Sequence, residues 1–380
     1  MRQRIESIDF LRGVIMVIMA LDHVRDFFHI GAFSYNDPTN IETTTPILFF
    51  TRFLTHYCAP TFIFLAGASA FLYGQGKSKK QLSTFLFTRG LWLIFVEIFI
   101  VNFFWSFDFT YRGVALQVIW AIGVSMVFLS VIIHLPKQVV LFLGLLIIAG
   151  HNLLDSIEMQ GESLSSAFWY ILHQSNGFHI SEHHGVYIMY PFLPWLGVMM
   201  LGFCFGELYK TDFNPQLRKK ILLRLALVSI SLFLIIRGIN MYGDNEPWGT
   251  QKNLIYSILS FLNVSKYPPS LDYVLVTLGP SMLFLYFFET AKNRIVNFFL
   301  VFGKVPFFYY LLHFLLIHLL AILLFYIITP VNAKNDDDIG FSLGMVYLIW
   351  VGVIGILYPF CRMYMKYKSN NKGKWWLSYL

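Results

Sequence analysis

The chain has 380 residues, 57% of them hydrophobic and 13% charged, with 40 Phe and a mean hydropathy of +0.62. Soluble domains average about 25% charged residues, so this composition points to a polytopic membrane protein. The net charge of +7 is carried by short basic clusters between apolar runs, a topology signal that argues against nucleic-acid binding.

The N-terminal MRQRIESIDF is basic and precedes an apolar run, as a signal peptide would. No small-residue cleavage site follows, so it reads as a retained first helix. Runs of about 20 apolar residues cross the ~30 Å of hydrocarbon in a bilayer. Ten are expected, at about 8–29, 47–73, 83–104, 114–134, 138–153, 187–208, 220–237, 272–290, 305–328 and 341–361. Helices are the expected form, because unpaired backbone in lipid is prohibitive and barrel alternation is missing. The prediction is an all-α polytopic membrane protein of about ten transmembrane helices, forming a single domain over residues 1–380. Most Lys and Arg fall on one side if both termini are cytoplasmic, while the outer loops collect acids such as Asp155, Glu162, Glu182, Asp244 and Asp336 to Asp338. Cys58, Cys204 and Cys361 are far apart and show no metal-ligand spacing.

In chain order, the first span holds Asp9, Arg12, Asp22 and His23, with His29 just beyond it. Arg12 and His23 are eleven residues apart, three turns plus about 20°, so they share a face about 16 Å apart along the axis. Intramembrane ionisable groups are functional candidates by default, and imidazole suits a general base near neutral pH. The bland alternative is a snorkelling Arg12 and a surface pair between Asp22 and Arg25. His56 follows in the second span, Glu97 and Asn102 in the third, and Gln117 in the fourth. For Glu97 the bland reading is a partner for a buried Arg. The outer segment GFHISEHHG includes His184, and its histidines lack any spacing that would separate a metal site from a solvated loop. Trp195 opens the sixth span in MYPFLPWLG, where an interfacial anchor is the plain reading. The ninth span, YYLLHFLLIHLL, carries Tyr310, His313 and His318. Its two histidines are five apart, off the four-residue spacing of paired ligands, so no metal is expected.

The opening RIESIDFLRGVIMVIMALDHVRDFF resembles the start of the heparan-α-glucosaminide N-acetyltransferase catalytic-domain family. PTFIFLAGASAFL (60–72), GVALQVIWAIGVS (113–125), YPFLPWLGVMMLGFCFGELY and GKVPFFYYLLHFLLIH are similar to its later signatures, the last two to those of its bacterial branch. The Arg-to-His arrangement is also similar to that of membrane acyltransferases acting on bacterial polysaccharides. The resemblance implies acetyl transfer from cytoplasmic acetyl-CoA to an amine or hydroxyl of an extracytoplasmic glycan, in the cytoplasmic membrane of a bacterium. His23 or His29 is then the base or the acyl-accepting nucleophile, and Asp22 its orienting carboxylate. Arg12, Lys79, Lys80 and Lys304 are candidates for holding the acyl donor, and Gln117, Asn102 or Tyr310 for the oxyanion. Asp9, His56, Glu97, His184, Trp195 and His313 complete the expected surroundings. Leu116-Gln117-Val118 departs from the family's Gln-Arg, so a cation is missing there. The partners implied are the glycan and the bilayer, with no nucleic acid and the oligomeric state open. The competing reading is a transporter or proton-coupled carrier relaying protons through Asp22, His23, Glu97 and His313, against which the lack of repeats counts.

Overall fold

The computed structural model describes residues 5–30, 37–328, 340–371 and 373–378, so the N-terminal Arg2 and Arg4 and the acids Asp336 to Asp338 lie outside the described residues. The helices are α1 (Glu6–Phe28), α2 (Pro46–His56), α3 (Cys58–Gly74), α4 (Lys79–Val96), α5 (Asn102–Ser106), α6 (Val118–Ile132), α7 (Lys137–Gly150) and α8 (Leu164–Leu172). They continue with α9 (Phe192–Phe205), α10 (Pro215–Ile239), α11 (Leu254–Leu262), α12 (Leu271–Phe288), α13 (Arg294–Gly303), α14 (Pro306–Ile328) and α15 (Leu343–Asn370). Among the described residues eight helical stretches are long and apolar enough to cross a membrane. The first and fourth expected spans are the other two. Helix α1 is long enough but carries six charges from Glu6 to Asp26, and α6 is apolar but short.

Local sequence explains where the helices start and break. Thr45 caps α2 by accepting from the Leu48 amide, with Pro46 at the first helical position, where no amide partner is needed. Ser78 and Gln81 form a reciprocal capping box on α4, and Asn214 with Pro215 starts α10. The second apolar run is split at Tyr57, because Pro60 has no N–H to offer the His56 carbonyl one turn earlier. The third passes from α4 through a π-turn at Glu97–Val101 into α5, and stops at Phe107, which has φ 49°.

Two expected helix starts are strands instead. β1 (Gly113–Leu116) precedes α6, and β3 (His184–Ile188) precedes α9; with β2 (Asn176–Ser181) they form a sheet of order β1-β3-β2. β1 runs parallel to β3, and β2 antiparallel to it. The Asn102 side chain serves the other edge of β1: its amide donates to the Ala115 carbonyl and accepts from the Ala115 N–H. A helix beginning at residue 114 would forfeit that pairing.

The chain divides into two compact units, both discontinuous in sequence. The first comprises residues 1–58, 249–263 and 288–380, the second residues 59–248 and 264–287. In the first unit α1 is the hub, packed by α2, α13, α14 and α15. Seventeen of its 23 residues are buried, the charged Asp9, Asp22 and Arg25 among them. In the second unit α6 lies between α4 and α9, and α9 also packs on α7. Gly67 and Gly202 let α3 and α9 touch through backbone: a Cβ on Gly202 would sit 2.0 Å from the Phe64 carbonyl oxygen.

Candidate active site

The first unit gathers the polar groups of α1 into two places. Near its start, the Arg12 guanidinium donates to the Asp9 carboxylate at 2.8 Å, a partly buried i,i+3 pair. The next residue, Gly13, touches α13. A Cβ there would lie 2.0 Å from the Phe299 carbonyl oxygen, and one on Gly303 would lie 1.7 Å from that of Asp9. Only two glycines allow such a backbone crossing. Arg12 and Lys304 are the chain neighbours of these glycines, so the crossing brings their backbones close together. This is the physical content of the FLRG and GK stretches.

Three turns along, His23 meets α14. His23 Nδ1 and His313 Nε2 are 2.7 Å apart, and His313 Nδ1 is 3.1 Å from the Tyr309 carbonyl oxygen. A carbonyl only accepts, so Nδ1 of a neutral His313 carries the proton and its Nε2 carries the lone pair. His23 must then donate through Nδ1, which leaves the lone pair of a neutral His23 on Nε2. One backbone carbonyl thereby assigns the tautomers of two rings. Aromatic rings fix the pair: Phe314 lies 4.1 Å from the His23 ring, Tyr309 stacks on His313 at 5.2 Å, and Tyr310 flanks His313 at 5.5 Å. His313 is fully buried. His318, five residues on, packs instead against Phe27.

Beside His23, Asp22 ties α1 to α2. One carboxylate oxygen accepts from the Thr55 hydroxyl and from Arg25, both at 2.8 Å, and the other accepts from Arg52 at 2.6 Å. The expected surface pair of Asp22 and Arg25 is thus a buried cluster with Arg52, and both carboxylate oxygens are engaged in it. His56, four residues after Arg52, is buried on the same helix. His29 caps the C-terminus of α1, its N–H bonded to the Arg25 carbonyl, and its backbone bridges to Phe341.

The remaining expected residues belong to the second unit and occupy separate places in it. Glu97 is fully buried and accepts the Trp120 N–H at 3.0 Å, so its partner is the N-terminal turn of α6 rather than an arginine. Arg12 pairs with Asp9, and Arg112 with Asp108. Gln117 is the N-cap residue of α6, and the Asn102 amide is spent on backbone carbonyls of Glu97 and Ala115. His184 is exposed on β3, bonded to Ser181 and to the Thr110 carbonyl. Trp195 is fully buried, 5.3 Å from the Tyr190 ring, and so packs as core rather than as an interfacial anchor. Lys79, with Lys77 and Lys137, lines a pocket of about 310 Å³ whose walls include Phe71, Leu82 and Phe203. Lys80, the next residue on α4, is exposed.

Sequence reasoning placed His313 in the neighbourhood but did not pair it with His23. Tyr309, which sets both tautomers, and Arg52, which completes the Asp22 cluster, escaped it. The signal for Tyr309 was its position four residues before His313, where a ring Nδ1 can reach back to a carbonyl.

No curated protein sequence matches the chain. Residues 4–242 match the family model described as heparan-alpha-glucosaminide N-acetyltransferase, catalytic, a segment that holds α1 and its Arg12 and His23 but ends before α13 and α14. The chain belongs to that family of N-acetyltransferase-type membrane proteins.

Proposed function

We propose that this protein moves an acetyl group from cytoplasmic acetyl-CoA to an amine or hydroxyl of an extracytoplasmic sugar, with His23 as the general base. The observation that carries this reading is the hydrogen-bond chain from the Tyr309 carbonyl through His313 to His23. It puts the His23 lone pair on Nε2, the nitrogen that can take a proton from an incoming nucleophile. His313 plays the orienting part expected of Asp22, which here holds α1 against α2. Of the oxyanion candidates, Tyr310 lies beside His313, whereas Asn102 is committed to backbone.

The acyl donor fits the other end of the same helix face. Acetyl-CoA supplies an activated acetyl thioester on a polyanionic nucleotide handle. Arg12 and Lys304, the chain neighbours of the Gly13–Gly303 crossing, are the cations we assign to that handle. The separation of about 16 Å between Arg12 and His23 along α1 suits an extended pantetheine arm reaching from one to the other. When the acceptor attacks, its proton passes to His23 Nε2, and His313 Nε2 keeps accepting from Nδ1 of the imidazolium. The leaving thiol recovers that proton, which returns His23 to its starting tautomer.

The test is full-length protein in liposomes, given labelled acetyl-CoA on the cytoplasmic face and glucosamine on the other. Labelled acetylglucosamine is expected, and His23→Ala should lower its rate of formation by about 10²–10⁴-fold. Absence of acetyl transfer to any amine or hydroxyl sugar, with solute uptake in its place, would overturn the reading in favour of a carrier.

A further inference from the structure

A second polar cluster lies in the second unit and shares no residue with the proposed site. His151 ends the apolar stretch of α7, Asp155 follows four residues later, and His173 caps the C-terminus of α8. One donor atom from each lies within 4.8 Å of the other two. His173 Nε2 and an Asp155 oxygen are 2.9 Å apart, and the other Asp155 oxygen accepts from Asn152 at 2.7 Å. The Asn152 carbonyl in turn accepts the Leu271 N–H, so the carboxylate is held by an anchored amide. The approach of Asp155 to His173 is fixed from both sides. Gln174 exchanges two hydrogen bonds with the Met159 backbone, and the Trp169 indole donates to the Ile157 carbonyl.

A hydrogen-bonded His–Asp pair accounts for two of the three residues. It does not account for His151, which is 2% exposed yet has no hydrogen-bond partner on either ring nitrogen. His173, equally buried, leaves Nδ1 without one. Buried polar groups are normally satisfied, and an imidazole desolvated with neither nitrogen engaged is an unreturned cost. A cation bound by the three side chains would return it.

We infer that His151, Asp155 and His173 form a binding site for one divalent transition-metal ion of the zinc class, tying the end of α7 to the end of α8. Two imidazoles and one carboxylate favour Zn²⁺ or Co²⁺ over Mg²⁺ or Ca²⁺, which prefer all-oxygen shells. Ligand atoms each about 2.1 Å from a tetrahedral ion lie about 3.4 Å apart, so atoms now up to 4.8 Å from one another close by at most about 1.4 Å on binding. Asn152 is the supporting group that orients the carboxylate. The exposed histidines 179, 183 and 184, the richest histidine run in the sequence, are not part of it.

The test uses tag-free, full-length protein stripped of metal in detergent and titrated with Co²⁺, followed by visible absorbance and by metal analysis after Zn²⁺ exchange. The expected result is one ion per chain, the absorbance of a four- or five-coordinate Co²⁺ centre, and a thermal midpoint raised by metal and lowered by chelator. His151→Gln and Asp155→Asn should each weaken binding about 10–100-fold or more, and Asn152→Ala by about 10-fold, while His184→Gln leaves it unchanged. Wild-type protein that takes up no stoichiometric Co²⁺ or Zn²⁺ would overturn the inference whatever the variants do. So would binding that survives His151→Gln at full strength.

Discussion

Gly303→Ala tests the crossing of α1 and α13 by adding one methyl group where backbone touches backbone. The new Cβ would meet the Asp9 carbonyl oxygen at 1.7 Å, against about 3.4 Å for ordinary contact, so the helices must part by about 1.7 Å. Overpacking of this kind costs about 1–3 kcal/mol. Alanine's better helix propensity returns at most ~1 kcal/mol, and less at Gly303, the last residue of α13. Steric strain therefore wins, and thermal stability should fall. Because Lys304 and the Asp9–Arg12 pair ride on the two helices, the parting also moves the proposed acyl-donor cations by more than an ångström. A displacement of that size can cost about 100-fold in rate through misplacement, so kcat/KM for acetyl-CoA should fall by ~10–100-fold. Gly355→Ala is the control, an exposed glycine of α15 with nothing within 4 Å of a Cβ, where alanine should stabilise by ~0.5–1 kcal/mol. Melting curves in detergent and steady-state kinetics over an acetyl-CoA series read both effects. A Gly303→Ala protein with unchanged melting and unchanged kcat/KM would refute the close crossing and the role given to its cations.

Other expectations concern the polar groups directly. His313→Leu removes the acceptor of the His23 Nδ1 proton and should lower kcat by ~10–100-fold with little change in KM, measured in the same assay. His23→Ala should cost about 10²–10⁴-fold, the range for a general base, whereas His29→Ala should stay within a few-fold of wild type; the reverse order would move the base outward. Asp22→Ala removes the carboxylate shared by Arg25 and Arg52, leaves Arg25 with Asp26, and should destabilise the protein by about 1–3 kcal/mol, read by thermal or denaturant unfolding. In the exposed turn after α5, the Thr110 hydroxyl and amide hold the Asp108 carboxyl well below the usual carboxylate range. Its folded-state value is depressed, so its contribution is complete above the unfolded value near 3.9 and is lost as pH falls through the folded one. Hydrogen exchange at Thr110 should therefore show no loss of protection from that protonation between pH 7 and 5.

The spans were legible because hydropathy is a local property: the run expected at 305–328 is α14, Pro306–Ile328. Their irregular ends were not, since they depend on distant partners. β1 is a strand because Asn102 and β3 supply its hydrogen bonds, and the four residues GVAL contain no sign of either. Amphipathic α13 was missed altogether, being too short and too charged at its start for a span, although it carries the glycine that α1 needs. For the site, the shared face of Arg12 and His23 followed from helix geometry alone. Asp22 was taken for the orienting group because it is the chain neighbour of His23. Neighbouring residues on a helix point about 100° apart, and the structure sends Asp22 to α2 and His23 to α14. The His151, Asp155 and His173 cluster left one trace, the four-residue spacing of a His and an Asp at a helix end.

The partner of His23 is synthesised 290 residues after it. Helix α14 contains no Asp, Glu, Lys or Arg and can enter a bilayer unaided, whereas α1 carries six charged groups and finds its shelter in later helices. While the chain is being made, α1 must therefore wait, its cations and acids answered locally by Asp9 with Arg12 and by Asp22 and Asp26 with Arg25. Docking of the ninth span then does two jobs at once: it covers the exposed face of α1 and sets the proton positions on His23. A chain truncated after residue 242 would keep the whole family-matching segment and still lack His313, the hydrogen-bond partner of His23. Assembly itself, under the reading given above, is the switch that arms the proposed base.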